Sequence, residues 1–284
     1  MDQLTTKADV DALSMELIAS VFQTELIQSA ILAPTIENFS ALVRPGADSL
    51  KLPKANSFNV EMKQGGEAAT AQKLTMDADT LLLDKHAVVQ GLIEDIASIQ
   101  AEPAIVAEYV KRMASAHAYD LDKKVYAQLK QTSASAPDNR IAYAAGGAPT
   151  KADFINARKL MKQNNVPQDG RWYLAVNPVQ EAVIIGLADF VDADKWFAGA
   201  EQAKASGVLG RAYGFTIMST NAVTDGEMVF YHSSHAGLAF QRAPRLAEQY
   251  KLEYLALLVS VDQLYGVKVL DGGKRGVLVN AGGA

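Results

Sequence analysis

One stretch limits the fold more than any other: residues 103–130 have the pattern of a single long amphipathic helix. No glycine or internal proline interrupts it, and Pro103 occupies the first turn, where a helix tolerates proline. At 1.5 Å per residue such a helix is about 40 Å long, which exceeds the usual helix of a globular domain. Its apolar stripe has helical spacing. The stripe consists of Val106, Val110, Met113, Ala114, Ala118, Leu121, Val125 and Leu129.

A second line of apolar and aromatic side chains covers part of another side of this helix. It consists of Ile105, Tyr109, Ala116, Tyr119 and Tyr126. A helix that is contacted on two sides along such a length serves as a beam to which other elements attach. The pattern therefore favours a mixed fold built on one central helix over a helical bundle.

Composition excludes several classes of protein. The 284 residues are 49% hydrophobic and 21% charged, which suits one large soluble domain or two smaller ones. A net charge of −5 and the absence of a Lys/Arg run argue against binding nucleic acid through a basic face. With no cysteine, disulfides and thiolate chemistry are excluded. Acidic residues near the N-terminus argue against a signal peptide, and no uncharged run reaches transmembrane length.

The N-terminal region is predicted to be helical over residues 9–32. Leu13, Leu17 and Val21 recur at helical spacing, and Pro34 ends the helix. A linker rich in proline and glycine follows, up to Pro53. A helix tethered this loosely needs a docking surface, and two interpretations stay open: it packs on its own domain, or it is an arm that reaches a neighbouring molecule.

Residues 57–76 are predicted to form a hairpin. Phe58, Val60 and Met62 alternate with polar residues and share one face of the first strand. A polar, glycine-containing turn follows, made of Lys63, Gln64, Gly65, Gly66 and Glu67. An isolated two-stranded hairpin is marginally stable in water. We therefore expect this one to lie on another surface, either of its own body or of another subunit.

The rest of the chain alternates between strand and helix patterns. Strands at 80–84 and 87–93 lead into the long helix. Residues 150–235 alternate β and α elements and predict a compact α/β unit, with helices at 151–164 and from Pro178. From Gly237 the predicted elements are strands, at 238–240, 252–261, 265–270 and 277–279, which together form an antiparallel sheet against the long helix. The predicted fold class is α+β.

Several short motifs follow one another in a distinctive order. Residues 82–96 lead into the long helix, which carries Asp120 and Asp122 near its end; residues 164–172 read NNVPQDGRW before a strand and an Asn177-Pro178 helix start. Residues 207–215 read GVLGRAYGF, and residues 262–270 read DQLYGVKVL. In this order the motifs resemble those of the major capsid proteins of tailed bacteriophages, which have the HK97-like fold.

That resemblance implies a division of the chain. Residues 1–45 would be an N-terminal arm, and residues 46–93 an extended loop (E-loop) with its base strands. Residues 94–149 and 236–284 would form the peripheral P-domain, in which the spine helix 103–130 packs on an antiparallel sheet. Residues 150–235 would be the inserted α/β axial A-domain. The E-loop residues expected to contact a neighbouring subunit are Phe58, Val60, Met62, Lys63, Gln64, Gly65, Gly66 and Glu67.

The expected function is that of a major capsid protein, which self-assembles into pentamers and hexamers of an icosahedral shell around double-stranded DNA. It would have no enzymatic role and no cofactor. Expected partners are other copies of the chain, a separate scaffolding protein, a portal protein at one vertex and a decoration protein, without sequence-specific DNA binding or membrane contact. The chain would reside in the virion after assembly in the bacterial cytoplasm. Two alternatives remain: an encapsulin-like nanocompartment shell and a soluble α/β enzyme centred on residues 150–235.

Candidate chemical motifs are weak. His232 and His235 have a spacing that suits a metal site only on a helix, and the sequence places them in a turn. Residues 272–276 lack the Ser or Thr of a P-loop and lie between strands, so a tight turn is expected. Some capsid proteins of this type join a lysine to an asparagine of a neighbour. Lys54, Lys63, Lys73 and Asn280 have the right chemistry but match no motif, so we expect no crosslink.

Overall fold

A computed structural model describes residues 30–55, 60, 62, 73, 76–94, 104–134, 138–144, 147–187 and 208–280. Within this part of the chain lie three α-helices and three β-sheets. The helices are α1 (Ala104–Leu129), α2 (Lys151–Gln163) and α3 (Pro178–Ile185). The strands are β1 (Glu37–Asn38), β2 (Ser49–Ala55), β3 (Met76–Leu82), β4 (Lys85–Glu94), β5 (Arg140–Ala142), β6 (Trp172–Val176), β7 (Val208–Ala212), β8 (Phe215–Ser219), β9 (Glu227–His232), β10 (Ala236–Lys251), β11 (Ala256–Val269) and β12 (Gly276–Asn280). This mixture confirms the predicted α+β class.

Helix α1 confirms the predicted long helix. It spans 26 residues and is therefore about 39 Å long. The predicted apolar stripe is partly buried at Met113 and buried from Ala114 onwards. Ala114, Ala118, Leu121, Val125 and Leu129 are all at most 2% exposed. Burial of this stripe, and not intrinsic propensity alone, stabilises so long a helix.

The first half of α1 packs on a four-stranded sheet with the strand order β1-β10-β11-β4. Ala114 and Ala118 contact Val261 of β11, so the small side chains bring helix and sheet close together. On β4, Gly91 lies beneath the helix, because a Cβ there would come within 2.5 Å of the Met113 side chain. Successive side chains of a strand point to opposite faces, so Asp262 points away from α1.

The second half of α1 packs on a six-stranded sheet with the order β5-β12-β9-β6-β8-β7. Leu121 and Val125 share a core cluster with Val229 and Tyr231 of β9. The opposite face of the same sheet is covered by α2 and α3. There Phe154, Phe215 and Phe230 form an aromatic core, with ring centroids of Phe154 and Phe230 5.4 Å apart. Helix α1 is thus shared by both large sheets.

Local signals explain where α2 and α3 begin. The Thr150 backbone N–H and hydroxyl both donate to an Asp153 carboxylate oxygen at 2.8 Å, which closes the first turn of α2. The Asn177 side chain accepts the Val179 N–H at 3.0 Å and caps α3, whose first residue is Pro178. Both helices agree with their predicted starts.

Strand β12 corrects one part of the predicted topology. The sequence grouped residues 277–279 with the antiparallel strands after Gly237, but β12 pairs with β5 and β9 in the six-stranded sheet. The reason is the burial of both of its faces. Val277 and Val279 enter the aromatic core beside α2, and Leu278 enters the cluster beside α1.

Strands β10 and β11 correct another part. The predicted strand 252–261 is wrong at its start, because residues 252–255 form the turn between β10 and β11. The predicted strands 252–261 and 265–270 are instead largely one strand, β11. Strand β10 runs from Ala236 to Lys251, although only 238–240 was predicted. Its register is irregular between Phe240 and Arg245, where the apolar alternation is lost.

The N-terminal segment enters the body of the protein at α1. The predicted helix 9–32 lies outside the described residues up to position 29; residues 30–32 are not helical, and Pro34 sits in a short 3-10 turn. The backbone N–H groups of Ile31, Leu32 and Ala33 donate to the Asp122 carboxylate at 2.8, 3.0 and 3.1 Å. Asp122 is buried on α1 and fixes the path of the incoming chain.

Replacement of Asp122 by alanine is expected to lower the free energy of unfolding by about 3 kcal/mol. The change leaves three N–H groups, two of them buried, without their charged acceptor, and hydrogen bonds to a charged group are among the stronger ones. Urea-induced unfolding measures the effect, with Lys124→Ala, an exposed change on the same helix, as the control. Equal unfolding midpoints for the two variants would contradict this role of Asp122.

Candidate assembly surfaces

The predicted hairpin is only partly described, and its paired strands lie closer to its base than expected. Strand β2 pairs with β3 from Ser49↔Leu82 to Ala55↔Met76. The predicted linker up to Pro53 is therefore strand from Ser49 onward. Pro53 is tolerated because this sheet has only two strands, and both have free edges.

The predicted contact residues fall into two groups. Phe58, Lys63, Gln64, Gly65, Gly66 and Glu67 lie outside the described residues. Val60 and Met62 are described, and their side chains are 91% and 93% exposed. Large apolar side chains this exposed gain no burial from their own subunit. Both therefore remain available to contact another molecule.

The base of the hairpin is held on the turn after β11. Lys54 forms an ion pair with Asp271, whose backbone N–H donates to Asp79 at 3.0 Å. Lys268 donates to the Thr80 carbonyl at 2.8 Å. Closer to the end of β3, the Leu82 carbonyl rests on Gly266, so close that a Cβ at Gly266 would lie 2.0 Å from that oxygen.

These contacts also give the direction of the hairpin. Leu82 lies at Gly266 and Asp79 lies at Asp271, so β3 followed backwards runs towards the end of β11. Residues that precede Asp79, including Met76, continue past that end. The hairpin therefore projects beyond the four-stranded sheet, which explains why Met76 is 67% exposed.

The face of the four-stranded sheet that points away from α1 is the second surface. The base of the hairpin covers one end of it, where Leu81 and Leu83 pack on Ala239. Farther along the same face, Val88 and Leu92 of β4 are about half exposed, at 45% and 53%. We call this uncovered part the open face. It is apolar along β4 and charged along β10.

A charged cluster on the open face is centred on Asp262. Arg245 Nε lies 3.0 Å from one carboxylate oxygen, while Arg242 Nη1 and His86 Nε2 lie 3.3 and 3.4 Å from the other. Burial disfavours ionisation of Asp262, but the hydrogen bonds from Arg245, His86 and Arg242 outweigh it and lower the pKa of this carboxyl. The Arg242 and Arg245 side chains remain more than half exposed. No sequence pattern predicts this cluster.

The turn between β10 and β11 forms a third surface. Its exposed apolar side chains project from the end of the sheet opposite the hairpin. They are Tyr250, Leu252, Tyr254 and Leu255. Leu255 has a positive φ of 45°, which the tight turn imposes at this position. Exposed apolar groups at the tip of a long two-stranded extension are typical of contact sites.

The two histidines with metal-like spacing are committed to protein contacts. Ser234 N–H and hydroxyl approach His232 Nδ1 at 3.2 and 2.7 Å, and His232 Nε2 lies 3.0 Å from Asp169. His235 donates from Nε2 to the Leu129 carbonyl at 2.9 Å, and burial lowers the pKa of His235 to about 4. Their nitrogen atoms thus face different partners. Among the described residues no group of three potential metal ligands occurs.

Serine, histidine and aspartate also form a hydrogen-bonded chain here, which invites comparison with a nucleophilic triad. The Ser234 hydroxyl additionally accepts from Arg275 at 2.6 Å, and Ser234 and His232 are both buried. Nucleophilic attack requires a substrate carbonyl to reach the hydroxyl. Arg275 occupies that approach, and the serine is buried. These hydrogen bonds therefore connect the end of β9 with the turn before β12 and the loop before β6.

The remaining sequence candidates are structural as well. Residues Asp271–Gly273 form the predicted tight turn between β11 and β12. His117, which lies between Met113 and Leu121 on α1, is also buried. A cleft of about 280 Å³ lies between α1, the start of α3 and residues 219–221. Asp122 lines it, but its carboxylate oxygens already accept backbone N–H groups. No described helix is both long and apolar enough to cross a membrane.

Comparison with known families shows which class of protein the chain belongs to. The family model described as phage capsid protein matches residues 93–280, which is well over half of the chain. The chain belongs to the phage capsid protein family. It is therefore a structural protein of the virion capsid, and it associates with further copies of itself in a shell.

Solved structures agree with this assignment at the level of the fold. A structure of Mycobacterium phage Che8 has a TM-score of 0.69 at 22% identity, covering 90% of this chain and 92% of that chain. The capsid of Ralstonia phage GP4 has a TM-score of 0.65 at 12% identity, covering 86% of each chain. A virus-like particle from Pyrococcus furiosus has a TM-score of 0.61 at 8% identity, covering 94% and 99%. No curated protein matches the sequence.

These likenesses confirm the HK97-like fold for this capsid protein. Among the described residues, the hairpin, the open face and the turn between β10 and β11 all carry exposed apolar side chains.

Proposed function

We propose that this capsid protein is the shell subunit that self-assembles into pentamers and hexamers of an icosahedral particle around double-stranded DNA. The family match over residues 93–280 carries the proposal. Several individually weak contacts per subunit, repeated under closed symmetry, suffice for a stable shell. The net charge of −5 suits a container that does not bind its packaged DNA tightly.

The proposed division of labour follows the two large sheets. Residues 1–45 form the N-arm, and residues 46–93 form the E-loop with its base. Helix α1 and the four-stranded sheet form the P-domain, within residues 94–149 and 236–284. The A-domain of residues 150–235 is completed by β5 and β12, because both pair within its six-stranded sheet.

The E-loop contact is the part of this proposal that concerns single residues. Phe58, Val60, Met62 and the turn at residues 63–67 would lie across a neighbouring subunit. The exposure of Val60 and Met62, at 91% and 93%, supports this role. Burial of two such side chains contributes about 1.5–3 kcal/mol each, and a shell repeats the contact many times.

Partners and chemistry complete the proposal. A separate scaffolding protein, a portal protein at one vertex and a decoration protein would join the shell, which forms in the host cytoplasm. The subunit needs no cofactor and has no enzymatic role. No covalent crosslink forms between lysines and asparagines of neighbours, and a ladder of linked subunits in denaturing electrophoresis of particles would contradict this point.

Electron microscopy of the sedimented protein tests the proposal. We expect icosahedral shells tens of nanometres across, or uniform rings of five or six subunits, when the scaffolding protein from the same genome is present. The chain alone is not expected to give shells of normal size. Nucleic acid inside the particles indicates a virion shell, whereas a copurifying enzyme without DNA indicates a nanocompartment. Only monomers or dimers in both experiments would contradict assembly.

A further inference from the structure

The start of the described chain lies against α1 and shows the direction from which the N-terminal segment arrives. The backbone of residues 31–33 donates three N–H groups to Asp122 of α1. Ala30 packs on a cluster that contains Ala118 and Ala114, which lie one and two turns closer to the start of α1. Followed backwards, the chain therefore heads along α1 towards the first residue of this helix.

The surface that comes next along α1 is a ridge that becomes open to solvent. Its members are spaced by four, three and four residues and so share one side of the helix; they are Asp122, Ala118, Ser115 and Lys111. Ser115 and Lys111 are exposed. Ser115 also lines the same cleft as Ile31. A segment that continues in this direction therefore passes over Ser115 and then Lys111.

Residues 1–29 lie outside the described part of the chain, but their sequence suits this surface in length and charge. Residues 9–29 have the apolar spacing of a helix, which would be about 30 Å long. The stretch of α1 from Ala104 to Asp122 is about 27 Å long. Residues 1–29 contain five acidic residues and one lysine. The exposed charged side chains described on the first half of α1 are those of Lys111 and Arg112.

We infer that residues 9–29 dock along this ridge, on the first half of α1 of their own subunit. The inference chooses between packing on the same subunit and reaching a neighbour. An arm that leaves for a neighbour would have to turn away from α1 directly before Ala30. Tyr119, which is 43% exposed beside Ser115 in the cleft, supplies apolar surface for the docked segment. Because it concerns a single subunit, the inference goes beyond the proposed shell function and does not depend on it.

A crosslink between the segment and the ridge tests the docking, and the absence of cysteine gives a clean background. If residues 9–29 run parallel to α1 as a helix, Thr24 lies level with Ser115, because each precedes its partner in the Ile31–Asp122 contact by seven residues. The double variant Thr24→Cys with Ser115→Cys keeps every charge. A short bis-maleimide added to the dilute soluble subunit should link both thiols within one chain, which a denaturing gel shows as a monomer of altered mobility.

The double variant Thr24→Cys with Ala127→Cys is the matched control. Ala127 is also exposed on α1, but it lies beyond Asp122 in the other direction, about 18 Å from Ser115 along the helix. We expect the Ser115 pair to link at least about tenfold faster than the Ala127 pair, because docking holds its thiols at a high effective concentration. Equal rates for the two pairs, or faster linkage of the control, would overturn the inference.

Mixed particles distinguish docking on the same subunit from docking on a neighbour. Shells assembled from equal amounts of the single variants Thr24→Cys and Ser115→Cys should give no linked dimers, while shells of the double variant give linked monomers. Linked dimers from the mixed shells would place the segment on a neighbour and contradict the inference. If no shells form even with the scaffold, the proposed function is contradicted, and the linkage rates of the soluble subunit still decide the docking. Thermal unfolding matched to that of wild type confirms that each variant is folded.

Discussion

A subunit that lacks residues 63–71 is expected to fold and yet to form no shells. The deleted residues lie in the segment that joins β2 to β3, next to the almost fully exposed Val60 and Met62. The base of the hairpin stays in place, because the seven-residue pairing of β2 with β3 and the contacts at Gly266 and Asp271 do not involve the deletion. Thermal unfolding and electron microscopy, with scaffold present, measure the two expectations.

Point variants separate the side chains of the hairpin from its length. The double variant Val60→Ser with Met62→Ser should reduce the yield of shells without changing the unfolding temperature, because these side chains make no buried contact within the subunit. Leu42→Ser removes a side chain that is 58% exposed outside the paired hairpin, and it serves as the matched control. Normal shells from the 63–71 deletion would remove the role assigned to this loop.

Gly266→Ala is expected to give the largest loss of stability of any single methyl addition described here. A Cβ at position 266 would stand 2.0 Å from the Leu82 carbonyl oxygen and 2.8 Å from the Leu81 side chain. A backbone atom cannot rotate away, so either β3 or β11 must shift. We expect the free energy of unfolding to fall by about 3 kcal/mol or more. Denaturant unfolding of the soluble subunit measures it.

Gly186→Ala provides the control for that experiment. Gly186 follows α3 with a helical φ of −74°, and the nearest atom to an added Cβ is the Val183 carbonyl oxygen at 3.4 Å. The change in unfolding free energy should be about 1 kcal/mol or less. If both glycine variants unfold at the same denaturant concentration, the close approach of β3 to β11 is not as tight as the structure indicates.

The elements that were predictable are those whose own residues repeat with a clear period. The apolar stripe from Ala114 to Leu129 predicted α1. The residues at Thr150 and Asn177 marked the starts of α2 and α3. The sequence did not predict the part of β10 after Phe240, because a bulged stretch with arginines on an exposed face has no apolar alternation. The membership of β12 was not predictable for another reason: its partners, β5 and β9, are distant in sequence, and local pattern carries no information on pairing.

Of the candidate assembly surfaces, the hairpin could be predicted from the sequence and the charged cluster could not. Alternation around Val60 and Met62 pointed to a hairpin with an unsatisfied apolar face, since strand period and exposure are both local properties. The charged cluster around Asp262 could not be predicted, because Arg242, Asp262 and His86 come from three separate strands and only the sheet register brings them together. Asp122 was noted as part of a motif, but its role as acceptor for the entering chain depends on contacts some 90 residues apart.

The position of β12 has a consequence for synthesis on the ribosome. This strand is inserted between β5 and β9, so the six-stranded sheet stays split until residue 280 has been made. Translation adds about 5–20 residues per second and exposes earlier segments first, so every nascent chain spends time with this gap. A prematurely terminated chain would lack Val277 and Val279 from its core and could not close the sheet. The order of the strands thus makes the completion of this sheet one of the last steps in the synthesis of the subunit.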